Sequence, residues 1–379
     1  MKVIQTVPYI GDESSGPSYS VPGLCSGLVQ NGVSTELHFL GPRPCREFDF
    51  PISVYPRHKF PHPRLGRSPE MLEGLIAACQ TADIIHNNSL WMYPNVYPAM
   101  AARRSQGQCK LVMAPRGTLA AWAMKHHRMQ KRLFGLYAQN AALKAADMFH
   151  ATCQKEYEEI RAAGFSQPVA IVPIGMTLPN VPSKSRLCDH FMRRIVFFGR
   201  LHRVKAIDNL IRAWRRCACP GWELVIAGPD CGARAELEKL VQDENVPRVS
   251  FVGEINGEGK YRFLADADIY VLPSHTENFG ITVAEALACG TPVIASQGTP
   301  WSGIEAVRAG KWVAVGAEPL AQALAALMAL DDASRQKMGD CGRTWIQRDF
   351  SWNGVGAKMK AAYEWLLKGG QCPEYVKRD

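Results

Sequence analysis

Short apolar runs recur along the chain, each closed by glycine or proline and followed by a stretch whose apolar positions repeat every three to four residues. In the first half, this pattern predicts strands at 2–7, 33–40, 82–86, 110–114, 148–151 and 169–173. Helices are expected from near Ser18 to the Asn31-Gly32 stop, over 119–145, and from the 148–151 strand to about Ala163. The second half restarts at 194–198 and continues with strands at 222–227, 249–252, 269–273, 292–296 and 313–315. Between and after these strands, helices are expected over 206–217, 232–243, 257–266, from Phe279, and over 319–330, 333–348 and 355–368. Strands alternating with helices predict an α/β chain with parallel sheets and ligands at the carboxyl ends of the strands. Residues 41–69, rich in proline, arginine and histidine, have no clear period and are expected to form a long acceptor-facing loop. Ile174 to Ser185, with Gly175, Pro179 and Pro182, is the expected linker.

The most informative stretch is Ile269 to Ala288, IYVLPSHTENFGITVAEALA, which changes period from strand to helix around a tight turn. A helix start leaves amides unpartnered and carries partial positive charge, so it favours a phosphate, and Gly280 lets an anion approach the backbone. Glu277 and Glu285 frame the turn with seven residues between them. Carboxylates beside a phosphate site suit sugar hydroxyls, although a glutamate in the first turns of a helix also compensates the dipole. At the start of the second half, Gly199 opens a turn in which Arg200 and Lys205 stand five positions apart, either clamping a diphosphate or serving as two solvated loop cations.

The run SHTENFGITVAEALACGTPVIAS, residues 274–296, resembles the Glu-x7-Glu signature of family 4 retaining glycosyltransferases, enzymes with the GT-B fold. The resemblance implies two Rossmann-like domains facing each other across a cleft. Residues 1–178 would form the acceptor side and 186–354 the nucleotide-sugar side, with the helix in 355–379 packing back on the first domain. It further implies that Glu277 holds the donor sugar and Glu285 the ribose. His275, Asn278 and the amides around Phe279, Gly280 and Ile281 would face the sugar or phosphate, while Val252 lies near the base and Thr299 near the donor. Arg200 and Lys205 match the family's cation pair. In the first half, Gly16 would approach donor or acceptor, or simply serve a tight turn. Arg116 in Pro115-Arg116-Gly117-Thr118 stands where many members carry histidine; being permanently charged, it would recognise anions or hydroxyls rather than relay a proton. Asn88 and Trp91 suit carbohydrate, and His86 either touches a sugar or fills the commoner structural role.

Composition adds bounds. A chain of 379 residues with 47% hydrophobic and 21% charged residues fits two soluble domains. No run of eighteen apolar residues and no secretory start are present, so a cytoplasmic location is expected. The twelve cysteines are scattered, Cys217 and Cys219 are wrongly spaced for zinc, and buried free thiols are expected. Of the net charge of +9, residues 1–180 carry +6, from 18 Lys and Arg against 12 Asp and Glu. Lys125 to Arg132 concentrates four fixed cations, either a solvated helix face or a contact for the inner membrane surface or a lipid-linked acceptor. Interleaved aromatics and nucleic-acid motifs are missing, which argues against a nucleic-acid partner. The partners expected are a nucleotide-diphosphate sugar, as substrate rather than cofactor, and a saccharide or lipid-linked acceptor. No Asp-x-Asp pair sits in a suitable loop, since Asp266-Ala-Asp268 leads into a strand, and no metal is expected. The rivals are a nucleotide-sugar 2-epimerase on the same fold, a glycosidase using two carboxylates, and a non-catalytic sugar-binding protein.

Overall fold

The computed structural model describes residues 1–11, 16–59, 62–120, 123–124, 128–180, 192–255 and 257–379. The chain divides into two compact units, one made of Met1–Gly175 with Trp352–Asp379 and the other of Met176–Ser351.

The first unit is built from β1 (Lys2–Thr6), α1 (Gly16–Gln30), β2 (Ser34–Leu40), β3 (Ile52–Tyr55), α2 (Pro69–Cys79), β4 (Ile84–Asn88), α3 (Tyr97–Arg104) and β5 (Lys110–Ala114). It continues with α4 (Arg128–Phe134), a π turn (Gly135–Gln139), α5 (Asn140–Lys144), β6 (Met148–Ala151), α6 (Gln154–Ala162) and β7 (Val169–Ile171). Its sheet runs β14-β7-β6-β5-β4-β1-β2-β3, parallel except for β14 (Val376–Lys377), which pairs antiparallel with β7. The interior strands β1, β4 and β5 are nearly all buried because helices cover both faces.

The second unit contains β8 (Arg193–Phe198), α7 (Ile207–Cys217), β9 (Trp222–Ala227), α8 (Arg234–Asp243), β10 (Val249–Gly253), α9 (Glu258–Ala265) and β11 (Ile269–Leu272). After these come α10 (Ile281–Ala288), β12 (Val293–Ser296), α11 (Gly303–Ala306), β13 (Gly310–Val313), α12 (Ala317–Met328) and α13 (Asp332–Asp349). Its all-parallel order, β10-β9-β8-β11-β12-β13, is that of a doubly wound nucleotide-binding sheet. The order reverses between β8 and β11, and in the first unit between β1 and β4. Crevices at the carboxyl ends of the strands open at such points.

Several sequence expectations change. The connection 41–69 carries β3, and α2 and α3 were not anticipated: each has a proline in its first turn, Pro69 and Pro98, which suits a helix start but masks the apolar period. The last strand of the second unit lies at Gly310–Val313 rather than 313–315. The 119–145 helix is broken by the π turn, and residues 121–122 and 125–127 fall outside the described residues, as do 181–185 of the expected linker. Free thiols are found, but Cys45 and Cys231 are exposed rather than buried. Among the described residues, no helix is long and apolar enough to cross a membrane.

The terminal helix α14 (Trp352–Lys368) lies on α1 within the first unit. The backbones meet because glycines stand at the crossing. A Cβ added to Gly27 would lie 2.3 Å from the Trp352 carbonyl oxygen, and one on Gly356 would lie 2.1 Å from that of Gly27. Gly27→Ala is therefore expected to destabilise the unit by about 1–3 kcal/mol through overpacking. Denaturant unfolding reads this directly, and an unchanged midpoint would show that the helices can separate without cost.

Candidate active site

In the second unit, the loops after β8 and β11 meet at the switch point. The β8 strand ends at Phe198, and a single 3₁₀ turn, Arg203–Lys205, precedes α7. Ala206, in the left-handed region with φ 50°, sets the angle at which Lys205 leaves this turn. The His275 amide donates to the Val204 carbonyl at 2.9 Å, which joins the two loops through backbone. Lys205 Nζ then lies 2.6 Å from Glu277 Oε1, and both side chains are largely shielded, 12% and 13% exposed. Ser274 Oγ donates to the same oxygen at 2.6 Å.

The turn is held from the next strand as well. The Glu277 amide donates to the Gly298 carbonyl at 2.9 Å, and Ser296 Oγ donates to the Ser274 carbonyl at 2.5 Å. Gly298 must be glycine here, since a Cβ would sit 2.3 Å from the Ser274 oxygen. Gly280 caps α10 in the left-handed region, φ 76° and ψ 60°. A Cβ there would stand 3.7 Å from Glu277 Cγ and 3.4 Å from Trp301 Nε1. Trp301 donates from Nε1 to the Phe279 carbonyl at 2.5 Å, and the two rings meet edge to face at 5.1 Å. The Tyr270 hydroxyl, 2.6 Å from Thr282 Oγ1 and 3.2 Å from the Phe198 carbonyl, links β8, β11 and the first turn of α10. The helix start with its free amides is thus fixed beside the Lys205–Glu277 pair.

Glu285 lies deeper in α10 and is buried. Burial pushes its carboxyl pKa up, while Lys260, whose Nζ is 2.6 Å from Glu285 Oε1, pulls it back down. Each glutamate of the pair therefore has its own lysine. Arg200 is exposed at the carboxyl end of β8 and joins no ion pair among the described residues. His275 is exposed, Asn278 and Ile281 are half-buried, and Phe279 is buried. Val252 is half exposed on the edge strand β10. Thr299 is buried and spends its hydroxyl on the Ser296 carbonyl at 2.7 Å, so its side chain props the loop. Among the described residues, no cluster of three His, Cys, Asp or Glu side chains could hold a metal.

The first unit brings together a second group. Arg116, half-buried with φ 55°, donates to Asn88 Oδ1 from Nη2 at 2.8 Å and from Nε at 3.1 Å. Its turn is held by the buried Glu156, which accepts from the Gly117 amide at 2.6 Å and the Thr152 amide at 2.7 Å. Beneath it lies a chain of hydrogen bonds with a single direction. The Val172 carbonyl can only accept, so His150 carries its proton on Nε2 (2.9 Å) and accepts at Nδ1 from His86 Nε2 (3.4 Å). His86 Nδ1 then accepts from the Tyr363 hydroxyl at 2.6 Å, and Gln5 Nε2 donates to that hydroxyl oxygen at 3.2 Å. Gln5 Oε1 accepts from Asn88 Nδ2 at 3.0 Å, which leaves Asn88 Oδ1 turned towards Arg116. Burial, with Arg116 nearby, holds both histidines well below the usual imidazole pKa, and they stay neutral. His86 is thus a structural histidine, and Asn88 is buried as the link that aims the guanidinium. Trp91 donates from Nε1 to the Thr118 carbonyl at 3.2 Å, and Gly16 opens α1 half-buried.

Sequence reading missed Ser274, Tyr270, Trp301 and Lys260 in the second unit, and Gln5, His150, Glu156 and Tyr363 in the first. Only Glu156 left a local signal, as the fourth residue after Thr152 at a helix start. Ser274 acts on Glu277 three residues on, but a serine in a strand-to-helix turn is too common to mark it; the others act through contacts remote in sequence.

Two family models match, "Glycosyl transferases group 1" over residues 190–345 and "Glycosyl transferase 4-like domain" over residues 15–175. A D-inositol 3-phosphate glycosyltransferase from Xylanimonas cellulosilytica is 31% identical over 264 residues, spanning 63% of this chain and 61% of that protein. The chain thus aligns with less than two thirds of that relative's length. Among solved structures, the Anabaena protein HepE in complex with UDP and glucose superposes with a TM-score of 0.76 at 17% identity, covering 96% of this chain and 99% of that one. Sucrose-phosphate synthase from Thermosynechococcus elongatus gives 0.72 at 22% identity, covering 97% and 100%. At these identities the likeness bears on the fold, which is GT-B: two parallel-sheet α/β units.

Proposed function

Because the chain belongs to the group 1 glycosyltransferases, we propose that it moves a hexosyl group from a nucleotide-diphosphate sugar to an acceptor, with anomeric configuration retained. The acceptor in this reading is a saccharide, free or carried on a lipid in polysaccharide or lipopolysaccharide assembly, and the excess of cations in residues 1–180 is what favours the lipid-linked form. The carrying observation is Lys205, 2.6 Å from Glu277 at the switch point, beside the free amides of α10. Lys205 and Arg200, with those amides, offset charge on the departing diphosphate. Glu277 and Glu285 accept from hydroxyls of the sugar and the ribose, and Arg116 recognises an anionic or hydroxyl group from the first unit. Incubation with a panel of nucleotide sugars should release nucleoside diphosphate; absence of release with every donor would leave a binding protein.

A 2-epimerase needs acid–base carboxyl groups in the first unit, and Glu159, pushed up to about 7 by burial and by Glu156 next to it, has a suitable pKa. Its neighbour Glu156 is committed to backbone amides and does not serve as the second carboxyl of such a pair. The same incubation separates the readings, because an epimerase returns an intact, isomerised nucleotide sugar. A glycosidase fits less well, since Glu277 and Glu285 are each engaged by a lysine rather than by one another.

The cations take the place of a divalent metal in this reading. Turnover is expected to persist in excess EDTA; complete loss with rescue by magnesium or manganese would refute it.

Lys260→Met should shift the pH dependence of nucleotide binding. Without the lysine, nothing opposes the burial that raises the Glu285 pKa, so the carboxylate is lost at a higher pH as the solution is acidified. Calorimetric titration of a nucleoside diphosphate from about pH 8 to pH 5 should show the variant's affinity failing first. Parallel profiles would remove Glu285 from the nucleotide site.

A further inference from the structure

Residues 84–146 contain nine Lys and Arg and no Asp or Glu. Within this stretch, α4 and the π turn expose a row of large apolar side chains: Met129 at 71%, Leu133 at 65%, Leu136 at 72% and Tyr137 at 81%. Their spacing, i, i+4, i+7 and i+8, is that of one helical face. Exposed apolar groups scattered singly are ordinary, but an ordered row is not.

The other side of the segment is anchored. Phe134 meets Tyr93 edge to face at 5.6 Å, Lys131 Nζ lies 5.9 Å from the Trp91 ring centre, and the buried Gln139 accepts from the Trp91 amide at 2.9 Å. Lys131 therefore lies partly against protein. Among the described residues, the exposed cations of the stretch are Arg132 beside the apolar row, Lys144 on α5, and Arg103 and Arg104 at the end of α3.

We propose that this face of the first unit docks on an anionic bilayer, with Leu133, Leu136 and Tyr137 entering the interfacial layer and Arg132 and Lys144 meeting lipid phosphates. The chemistry is complementary on both counts. Apolar side chains gain by leaving water, and a stretch with cations but no carboxylates is attracted by negative lipid and repelled by none of its own charge. The contact is peripheral and reversible, since the row is one short helix face. Tyr137, with an apolar ring and a polar tip, suits the headgroup level. The inference rests on the lipid-linked acceptor reading for its purpose, yet vesicle binding is measured without turnover, so the two can fail separately.

The test is co-sedimentation with phosphatidylcholine vesicles and with phosphatidylcholine–phosphatidylglycerol vesicles. The full chain should partition onto the anionic vesicles and be released by salt. Leu133→Ser/Leu136→Ser/Tyr137→Ser together should lower partitioning by at least about tenfold, and Arg132→Glu should lower it on anionic vesicles alone. Circular dichroism and nucleoside diphosphate binding check the fold of each variant; if the triple variant does not fold, the salt dependence and Arg132→Glu decide. A chain that stays in the supernatant with both vesicle types overturns the proposal. So does a vesicle-indifferent dimer in light scattering that the triple variant dissociates, because the row would then be covered by a second copy.

Discussion

Lys205→Ala is expected to lose at least about two orders of magnitude in kcat, the scale of removing one preorganised charge from a developing anion. The lysine is positioned by backbone: the 3₁₀ turn ends on it, and the bond from the His275 amide to the Val204 carbonyl fixes that turn against the β11 loop. Its side chain is only 12% exposed, so water screens the ammonium weakly and its interaction with a diphosphate placed there would be correspondingly strong. Glu277 neutralises it before substrate arrives. In the proposed reaction, hydroxyls of the sugar would occupy Glu277 and leave the lysine to follow charge onto the leaving group. The fold should survive, because the loop keeps its backbone bonds and Ser274 still donates to Glu277. Turnover with the best donor and thermal unfolding are the paired measurements. A variant with near-normal kcat would remove Lys205 from the chemistry, whereas a variant that unfolds would make the pair structural.

The strand–helix alternation was readable because buried parallel strands are continuous apolar runs and their turns are marked by glycine. That holds for β8, where four apolar residues precede Gly199, and for β11, closed by Pro273. It fails for α2 and α3, where prolines in the first helical turn read as loop signals, and for β14, two residues too few to carry an apolar pattern. Within the site, Lys205, Glu277 and Gly280 were legible as a cluster because each lies at a strand-to-helix turn on adjacent strands. The supports were not. Trp301 reaches the Phe279 carbonyl from 22 residues away, and Tyr363 reaches His86 across 277. A single sequence carries no trace of such distances. The same blindness made Asn88 read as suited to carbohydrate, when its side chain is buried and its Oδ1 holds Arg116.

Glu277→Ala should weaken binding of the whole nucleotide sugar by about tenfold or more while changing binding of the bare nucleoside diphosphate much less. The carboxylate is held by two donors to one oxygen, Lys205 at 2.6 Å and Ser274 at 2.6 Å, so Oε2 is the oxygen left to accept from substrate hydroxyls. Bonds from hydroxyls to a charged acceptor belong to the stronger class, and a sugar placed there without the carboxylate leaves its hydroxyls unmatched. For the diphosphate the sign is opposite. Removing a negative charge beside Lys205 leaves the ammonium unopposed, so the bare nucleoside diphosphate should bind as tightly as before or somewhat more tightly. Calorimetric titration of both ligands on both proteins gives the comparison. If the two affinities fall together, Glu277 acts by holding the loop, and the β11–α10 turn is a scaffold for phosphate rather than a grip on sugar. If the sugar nucleotide alone suffers, the lysine and the glutamate divide the donor between them, one taking the part that leaves and the other the part that is transferred.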